Sequence, residues 1–350
     1  MTSLHCGIIG CGVIAPSHIE SYRHLPDVTV TWACDIVQAK ASALARQYQI
    51  PHVTPDCAEM LADPELDAVS VCTDHGSHAA IVIAALEAGK HVLCEKALTI
   101  NRSSLDAMLQ VQARHPELIF AGVFQHRYEA VPRLLKELLE RGAFGTVSNL
   151  SLQSNCWRGP DYYRHDAWRG TWAHEGGALL INQAIHFIDL FQWLGGGIAS
   201  LCARCDDLCH QGVIETEDAA AAAVRFKNGA LGTVVATSSS AEDWRHLLTV
   251  SGTEGYAELC NDELIHYHFT KPEIQAEVER RLQADRTEKA IHAGKTYYGG
   301  GHPAQIQDFV AAIREHRPPF VTAATAREAV DVVLACYESS RSGSWVTLPE

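Results

Sequence analysis

The sequence has no long basic tract, no apolar run long enough to cross a bilayer and no sharp internal repeat. With a formal net charge of -14, the first absence removes nucleic-acid polymers and anionic membranes as obvious partners, because both are held by clustered Lys and Arg. The second argues against a spanning protein. The segment Met1-Thr2-Ser3-Leu4-His5-Cys6 also lacks the charged start and apolar stretch of a leader, so a cytoplasmic location is expected. What remains is a chain of 350 residues, 47% of them apolar, with enough material for a substantial core and a length that favours two domains over one.

Cysteine is plentiful, with 12 residues spread along the chain, and Cys34, Cys72 and Cys94 fall in apolar, strand-like runs. Reduced core thiols are expected rather than a disulfide framework. Cys202, Cys205, Cys209 and His210 have a spacing that zinc can use, but the usual two-pair arrangement is missing. A strand over Ile198 to Leu208 would also send the first two thiols to opposite faces. No metal is expected, with zinc at those cysteines left open.

The N-terminal half reads as a βα series. Leu4 to Ile9 is a short strand, and the following Gly10-Cys11-Gly12-Val13-Ile14-Ala15 has a phosphate-binding spacing within a glycine-rich stretch that starts at Gly7. Gly10 permits a tight turn, Gly12 leaves room for a pyrophosphate, and Ala15 allows helix and strand to approach. Backbone N–H groups at the helix start, around Val13 and Ile14, then face phosphate oxygens, and Pro16 suits an early helical position. A second strand over Val28 to Cys34 ends at Asp35, placed to accept hydrogen bonds from ribose hydroxyls. No arginine follows Asp35 to offset a 2'-phosphate, so NAD is favoured over NADP.

The alternation goes on through a helix over Ala39 to Tyr48, a strand over Ala68 to Thr73, a helix over His78 to Ala88 and a strand over His91 to Cys94. In a doubly wound sheet, loops beyond the strand C-termini collect ligands, which puts Thr73, His75, His78, Glu95 and Lys96 on the cofactor side. For the two histidines a helix-start or surface role is an equal alternative. Phe120 to Phe124 is a further strand, after which Arg127 either orients a substrate oxygen or forms a boundary salt bridge. The expected division is residues 1–125 for dinucleotide binding and 126–350 for substrate binding and oligomerisation.

Past a helix over Pro132 to Arg141 and a strand from Val147 to Leu152 comes an aromatic and polar loop with Tyr163, Trp168 and Arg169. It suits a carbohydrate, and it equally suits packing against a domain or subunit. Gly176-Gly177 then opens a segment read as one helix, with Asn182 and His186 on a shared face and Asp189 within reach of His186. A secondary alcohol can give its proton to His186 while hydride leaves carbon. Asn182 binds a neighbouring hydroxyl, and Lys96 stabilises charge on the reacting oxygen. Strands over Ala219 to Phe226, Ala230 to Thr237, Arg245 to Ser251 and Tyr256 to Cys260 suggest an antiparallel sheet, whose exposed face favours a homodimer or homotetramer. Thr270 to Lys295 is a charge-rich excursion. Gly299-Gly300-Gly301-His302 leads into a helix over Pro303 to Ile313, with His302 as a helix-start residue.

Gly10-Cys11-Gly12, Glu95-Lys96-Ala97, and Gly176-Gly177 through Asn182 and His186-Phe187-Ile188-Asp189 stand in an order that resembles the glucose-fructose oxidoreductase, inositol dehydrogenase and MocA-like family. The resemblance spans nearly the whole chain. It implies a Rossmann domain with a parallel sheet, then an α/β domain with an open, largely antiparallel sheet, and NAD(P)-linked chemistry on sugars and polyols. Lys96 matches the family's active-site lysine and His186 its catalytic histidine. Asn182 stands where many members have aspartate, and Ala97 replaces a common proline. Trp168-Arg169-Gly170-Thr171-Trp172 with Asn182-Gln183 looks similar to sugar 3-dehydrogenases and ketosugar 3-reductases, including nucleotide-sugar enzymes. Two other readings stay open: a lyase or glycoside-cleaving enzyme that recycles bound NAD through transient oxidation at C3, and a non-catalytic dinucleotide-binding regulator.

Overall fold

The computed structural model describes residues 3–291 and 300–349. Lys295 and Gly299, which bound the two expected features of that stretch, lie outside them. The chain divides into two compact units, one of Met1–Gln125, Ala173–Gly176 and Gly301–Val330, the other of His126–Trp172, Gly177–Gly300 and Asp331–Glu350.

In the first unit the order is β1 (Leu4–Ile9), α1 (Ala15–Arg23), β2 (Val28–Cys34), α2 (Gln38–Tyr48), β3 (His52–Thr54), α3 (Cys57–Leu61), β4 (Ala68–Val71), α4 (His78–Glu87), β5 (His91–Cys94), α5 (Arg102–Arg114) and β6 (Phe120–Gly122). The strands form one sheet in the order β3-β2-β1-β4-β5-β6, and every pairing is parallel. This is the doubly wound arrangement, with its switch point between β1 and β4. All four residues of β4 are buried, as expected for a strand covered on both faces. Gly7 lies inside β1 rather than in the turn: a Cβ there would sit 1.9 Å from the Met60 methyl, so its smallness serves packing. Ile8, Tyr22, Ala33 and Leu93 share a core with Ile306, Phe309 and Val310, which arrive from a late helix, Gly301–Glu315.

The second unit runs through α6 (Ala130–Glu140), β7 (Val147–Asn155), α7 (Pro160–His165), α8 (Ile185–Leu194), β8 (Ile198–Asp206), β9 (Ala219–Phe226), β10 (Leu231–Thr237), β11 (Arg245–Gly252), β12 (Gly255–Cys260), β13 (Glu263–Phe269) and α9 (Pro272–Ile291). The helix over Gly301–Glu315 is α10; α11 (Ala323–Ser342) and β14 (Val346–Thr347) follow. The second sheet has the order β13-β12-β11-β7-β10-β9-β8-β14, antiparallel except for β7 with β10. Along β10, Gly232, Val234 and Ala236 are buried and Leu231, Thr233 and Val235 are exposed, the alternation of a sheet with one covered face.

The segment after Gly177 is not one helix. Leu179–Gln183 forms a single wide turn in which Ala184 N–H bonds to Leu179 O, and α8 begins only at Ile185.

Candidate active site

The glycine turn has the geometry its sequence implied. Gly10 has φ +93, and a Cβ on it would lie 2.5 Å from the Cys72 carbonyl oxygen, so both conformation and space require glycine. Around Gly12 no atom comes within 4 Å of a Cβ position, which leaves the open cradle a pyrophosphate needs. Val13 is exposed, Ile14 is half-buried, and Ala15 is buried at the start of α1. The Asp35 carboxylate accepts from Cys11 N–H at 2.9 Å and Val37 N–H at 2.8 Å, which ties the end of β2 to the turn. Ile36 is 91% exposed, so an apolar surface flanks that carboxylate. These residues fit an adenine dinucleotide: an open cradle, a fixed acceptor and an apolar shelf.

Lys96 follows β5 on the same sheet edge as Gly10 and is half-buried; its peptide bond to Ala97 is cis. The Glu95 side chain turns inward. It accepts Lys96 N–H at 3.2 Å, and its other oxygen meets His18 Nε2 at 2.9 Å and His302 Nε2 at 3.7 Å. Burial pushes this carboxyl up, but His18 and His302 more than reverse that and hold it well below the usual range. His18 is braced in turn by Ser70, which also meets the Tyr22 hydroxyl. His302 is thus part of a buried network and not merely a helix start. Thr73 is half-buried after β4, while His75 and His78 are buried and hold backbone. His75 Nδ1 meets Glu175 O at 2.9 Å, and His78 spans Ala97 O and Thr73 O. Their rings support the loop from within.

In the second unit, every residue from 177 to 192 is buried except Asn182 and His186, which are half-buried. The wide turn carrying Asn182 is held by Glu217, a residue the sequence reading missed. Its carboxylate accepts N–H from Leu180 at 2.9 Å, Leu179 at 3.1 Å and Ala178, and a hydroxyl from Tyr337 at 2.7 Å. Burial raises the Glu217 carboxyl, only partly offset by these donors. Asp189 forms a buried two-point ion pair with Arg127, whose Nε lies 2.7 Å from Oδ2. Both partners of this ion pair lie within the second unit.

The aromatic loop is built as alternating rings and cations. The Arg169 guanidinium lies 4.1 Å from the Tyr162 ring centre and 4.7 Å from that of Trp168, and Arg158 lies between Tyr162 and Trp244. Arg158 also donates to Gln183 at 2.9 Å, tying loop to turn. Neither Arg158 nor Trp244 was singled out from sequence. Tyr163 is buried, edge-on to His210 with its hydroxyl 3.2 Å from Ser238 Oγ, so it anchors the loop. His210 pairs with Asp218 at 2.9 Å. Two groups of metal-ligating side chains come together among the described residues, His18/Glu95/His302 and Asp207/His210/Asp218, and neither contains a cysteine. Cys202, Cys205 and Cys209 are free thiols.

No helix of the described residues is long and apolar enough to cross a membrane. The chain resembles the myo-inositol 2-dehydrogenase of Thermotoga maritima, 24% identical with 99% of both chains covered. It is also 24% identical to the levoglucosan dehydrogenase of Pseudarthrobacter phenanthrenivorans, with 100% of this chain and 99% of that one covered. Among solved structures, the WlbA dehydrogenase from Bordetella pertussis, in complex with NADH and UDP-GlcNAcA, superposes with a TM-score of 0.91 at 25% identity, covering 100% of this chain and 99% of that one. Residues 4–123 match the oxidoreductase family's NAD-binding Rossmann fold and residues 136–348 its C-terminal alpha/beta domain. With both halves matched in order, the chain belongs to the glucose-fructose oxidoreductase, inositol dehydrogenase and MocA-like family of NAD-binding oxidoreductases.

Proposed function

We propose that this chain moves hydride between NAD and a secondary alcohol or ketone of a sugar, polyol or nucleotide sugar, with C3 of the sugar as a candidate position. The observation that carries the reading is the isolation of Asn182 and His186 as the two accessible polar groups of an otherwise buried segment. In the first unit, Lys96 leaves the same sheet edge as the open glycine cradle. When bound, NAD supplies the hydride acceptor. His186 takes the hydroxyl proton, Lys96 stabilises negative charge on the reacting oxygen, and Asn182 orients a neighbouring hydroxyl. Gly10, Gly12, Val13 and Ile14 cradle the pyrophosphate and Asp35 receives the ribose, while Trp168 and Arg169 line the sugar side.

The likeness to an enzyme bound to NADH and UDP-GlcNAcA supports a sugar or nucleotide-sugar substrate. Leu231 and Val235 on the uncovered sheet face support a homodimer or homotetramer; a single-chain mass on ultracentrifugation would rule that out. A reducing, cytoplasmic setting suits a chain that carries its twelve cysteines as thiols. The deciding experiment is an NAD-coupled screen of free sugars, glycosides, sugar acids, polyols and nucleotide sugars in both directions, with product regiochemistry. On the best substrate, Lys96→Ala and His186→Ala should each lower turnover by about 10²–10⁴ with NAD affinity little changed. Equal losses of rate and NAD binding would assign both residues to cofactor organisation instead.

A further inference from the structure

His186 has a neighbour with unusual support. His126 sits on the short helical turn Gln125–Tyr128 with its ring centre 5.1 Å from that of His186. Its Nδ1 lies 2.7 Å and 2.9 Å from the two oxygens of Asp262. Because a carboxylate only accepts, that nitrogen carries the hydrogen. Asp262 belongs to the turn between β12 and β13, and the turn itself is clamped. Asn261, at φ +53, donates its N–H to His246 O at 2.7 Å, and its side-chain oxygen accepts His246 N–H at 3.1 Å. The carboxylate is thus aimed at His126 by the sheet.

We infer that His126, gripped by Asp262, is a positioning residue for the reaction: its ring holds a positive charge against His186 and keeps that imidazole unprotonated until an alcohol delivers its proton. This rests on the reading of His186 as the proton acceptor. The other groups around His126 agree with the assignment. Burial disfavours a charge on His126, but Asp262 outweighs it, with Glu129 at the start of α6 and Asp189 from α8 adding to the pull. The Asp189 charge is already matched by Arg127. From β11, His246 is stacked on Phe187 at 4.0 Å, with Nδ1 2.8 Å from Ser154 Oγ. Burial first, and the His126 charge second, push His246 down to about 3, so it stays neutral. His126 is therefore the cationic ring of the three whose state the surroundings fix, and it is the one in contact with His186 from the Asp262 side.

The test is the imidazole titration of the full chain, uniformly labelled at histidine and followed by NMR with and without NAD, in the wild type, His126→Gln and Asp262→Asn. His126 should stay protonated through neutral pH. His126→Gln removes the cation and leaves the Asp262 carboxylate, so the His186 midpoint should rise by about one pH unit. Asp262→Asn lets His126 lose its proton and should raise the His186 midpoint by roughly half as much. The acid limb of kcat/KM for an alcohol oxidised in the screen should move up in the same order. A neutral His126 at pH 7, or an unmoved His186 midpoint in both variants, would overturn the inference. If the midpoint moves and the acid limb does not, the ring coupling stands and His186 loses its role as proton acceptor. A misfolded variant would instead bring its histidine titrations together near the ordinary value of about 6.5, which separates it from a displacement of His186 alone.

Discussion

Glu95 and Glu217 are both buried, and each fixes the backbone that presents a side chain of the proposed site, Lys96 in one unit and Asn182 in the other. Their surroundings differ in kind. Glu95 faces two imidazoles, and its carboxyl is held well below the ordinary range against the pull of burial. Glu217 faces backbone N–H groups and a tyrosine hydroxyl, and burial wins, so its carboxyl is raised. Neutral dipoles satisfy the geometry of a carboxylate but do not replace the hydration of its charge, whereas a partner that can itself become charged does. The first arrangement makes an ion part of the fold. The second makes the hydrogen-bond acceptor essential and the charge dispensable.

The largest effect should come from removing the acceptor at Glu217. Glu217→Ala orphans the N–H groups of Ala178, Leu179 and Leu180 in a buried turn and should cost about 4 kcal/mol, read from chemical denaturation. Turnover should fall with it, because the turn carries Asn182. A cost within about 0.5 kcal/mol, the range of ordinary surface substitutions, would show that the turn holds itself. Next in size is Glu95→Gln, which keeps the shape but removes the ion: about 2 kcal/mol of stability, with turnover lowered more than NAD affinity. If Glu95→Gln is neutral in both respects, the His18 and His302 contacts are geometric only, and the contrast with Glu217 disappears.

How much of this was readable in advance follows from the distance over which each contact acts. The strands of the first sheet are short apolar runs separated by helices with ordinary periodicity, and the glycine turn is specified by neighbours within a few positions, so both are legible from sequence. Strand β3 is three residues long, too short to show alternation. The return of Gly301–Val330 to the first unit has no local signal, because what decides it is the fit of Phe309 and Ile306 into a core laid down by α1 and β1. The site divides in the same way. Lys96, Asn182 and His186 lie in motifs, but the groups that hold them do not: His18 stands 77 positions from Glu95, and Glu217 stands 37 from Leu180. For His75, His78 and Arg127 the sequence leaves a ligand-facing and a structural role open, because the carbonyls and the Asp189 carboxylate that they meet lie far along the chain or across a fold contact. The break before α8 was hidden because Leu179–Gln183 has the composition of a helix, and only the Glu217 bonds explain why it is wound more widely.

The smallest effect is also the one that separates the two carboxylates by sign. Glu95 has a folded value below its ordinary 4.5, so its contribution is present above 4.5 and lost as pH falls through the lower folded value. Glu217 has a folded value above 4.5, so the fold prefers it protonated; that contribution is present below 4.5 and lost as pH rises through the raised value. Glu217→Gln keeps an acceptor oxygen for the three N–H groups and has no proton to lose. Its stability relative to the wild type should therefore improve as pH climbs from 4.5 through that window, by a fraction of the Glu217→Ala cost, while Glu95→Gln should fall further behind the wild type over the acidic range in which Glu95 ionises. Urea midpoints measured across this range decide the matter. Parallel curves for the two glutamine variants would mean that both carboxylates sit in equivalent electrostatic surroundings, and that the imidazoles beside Glu95 carry no charge in the fold.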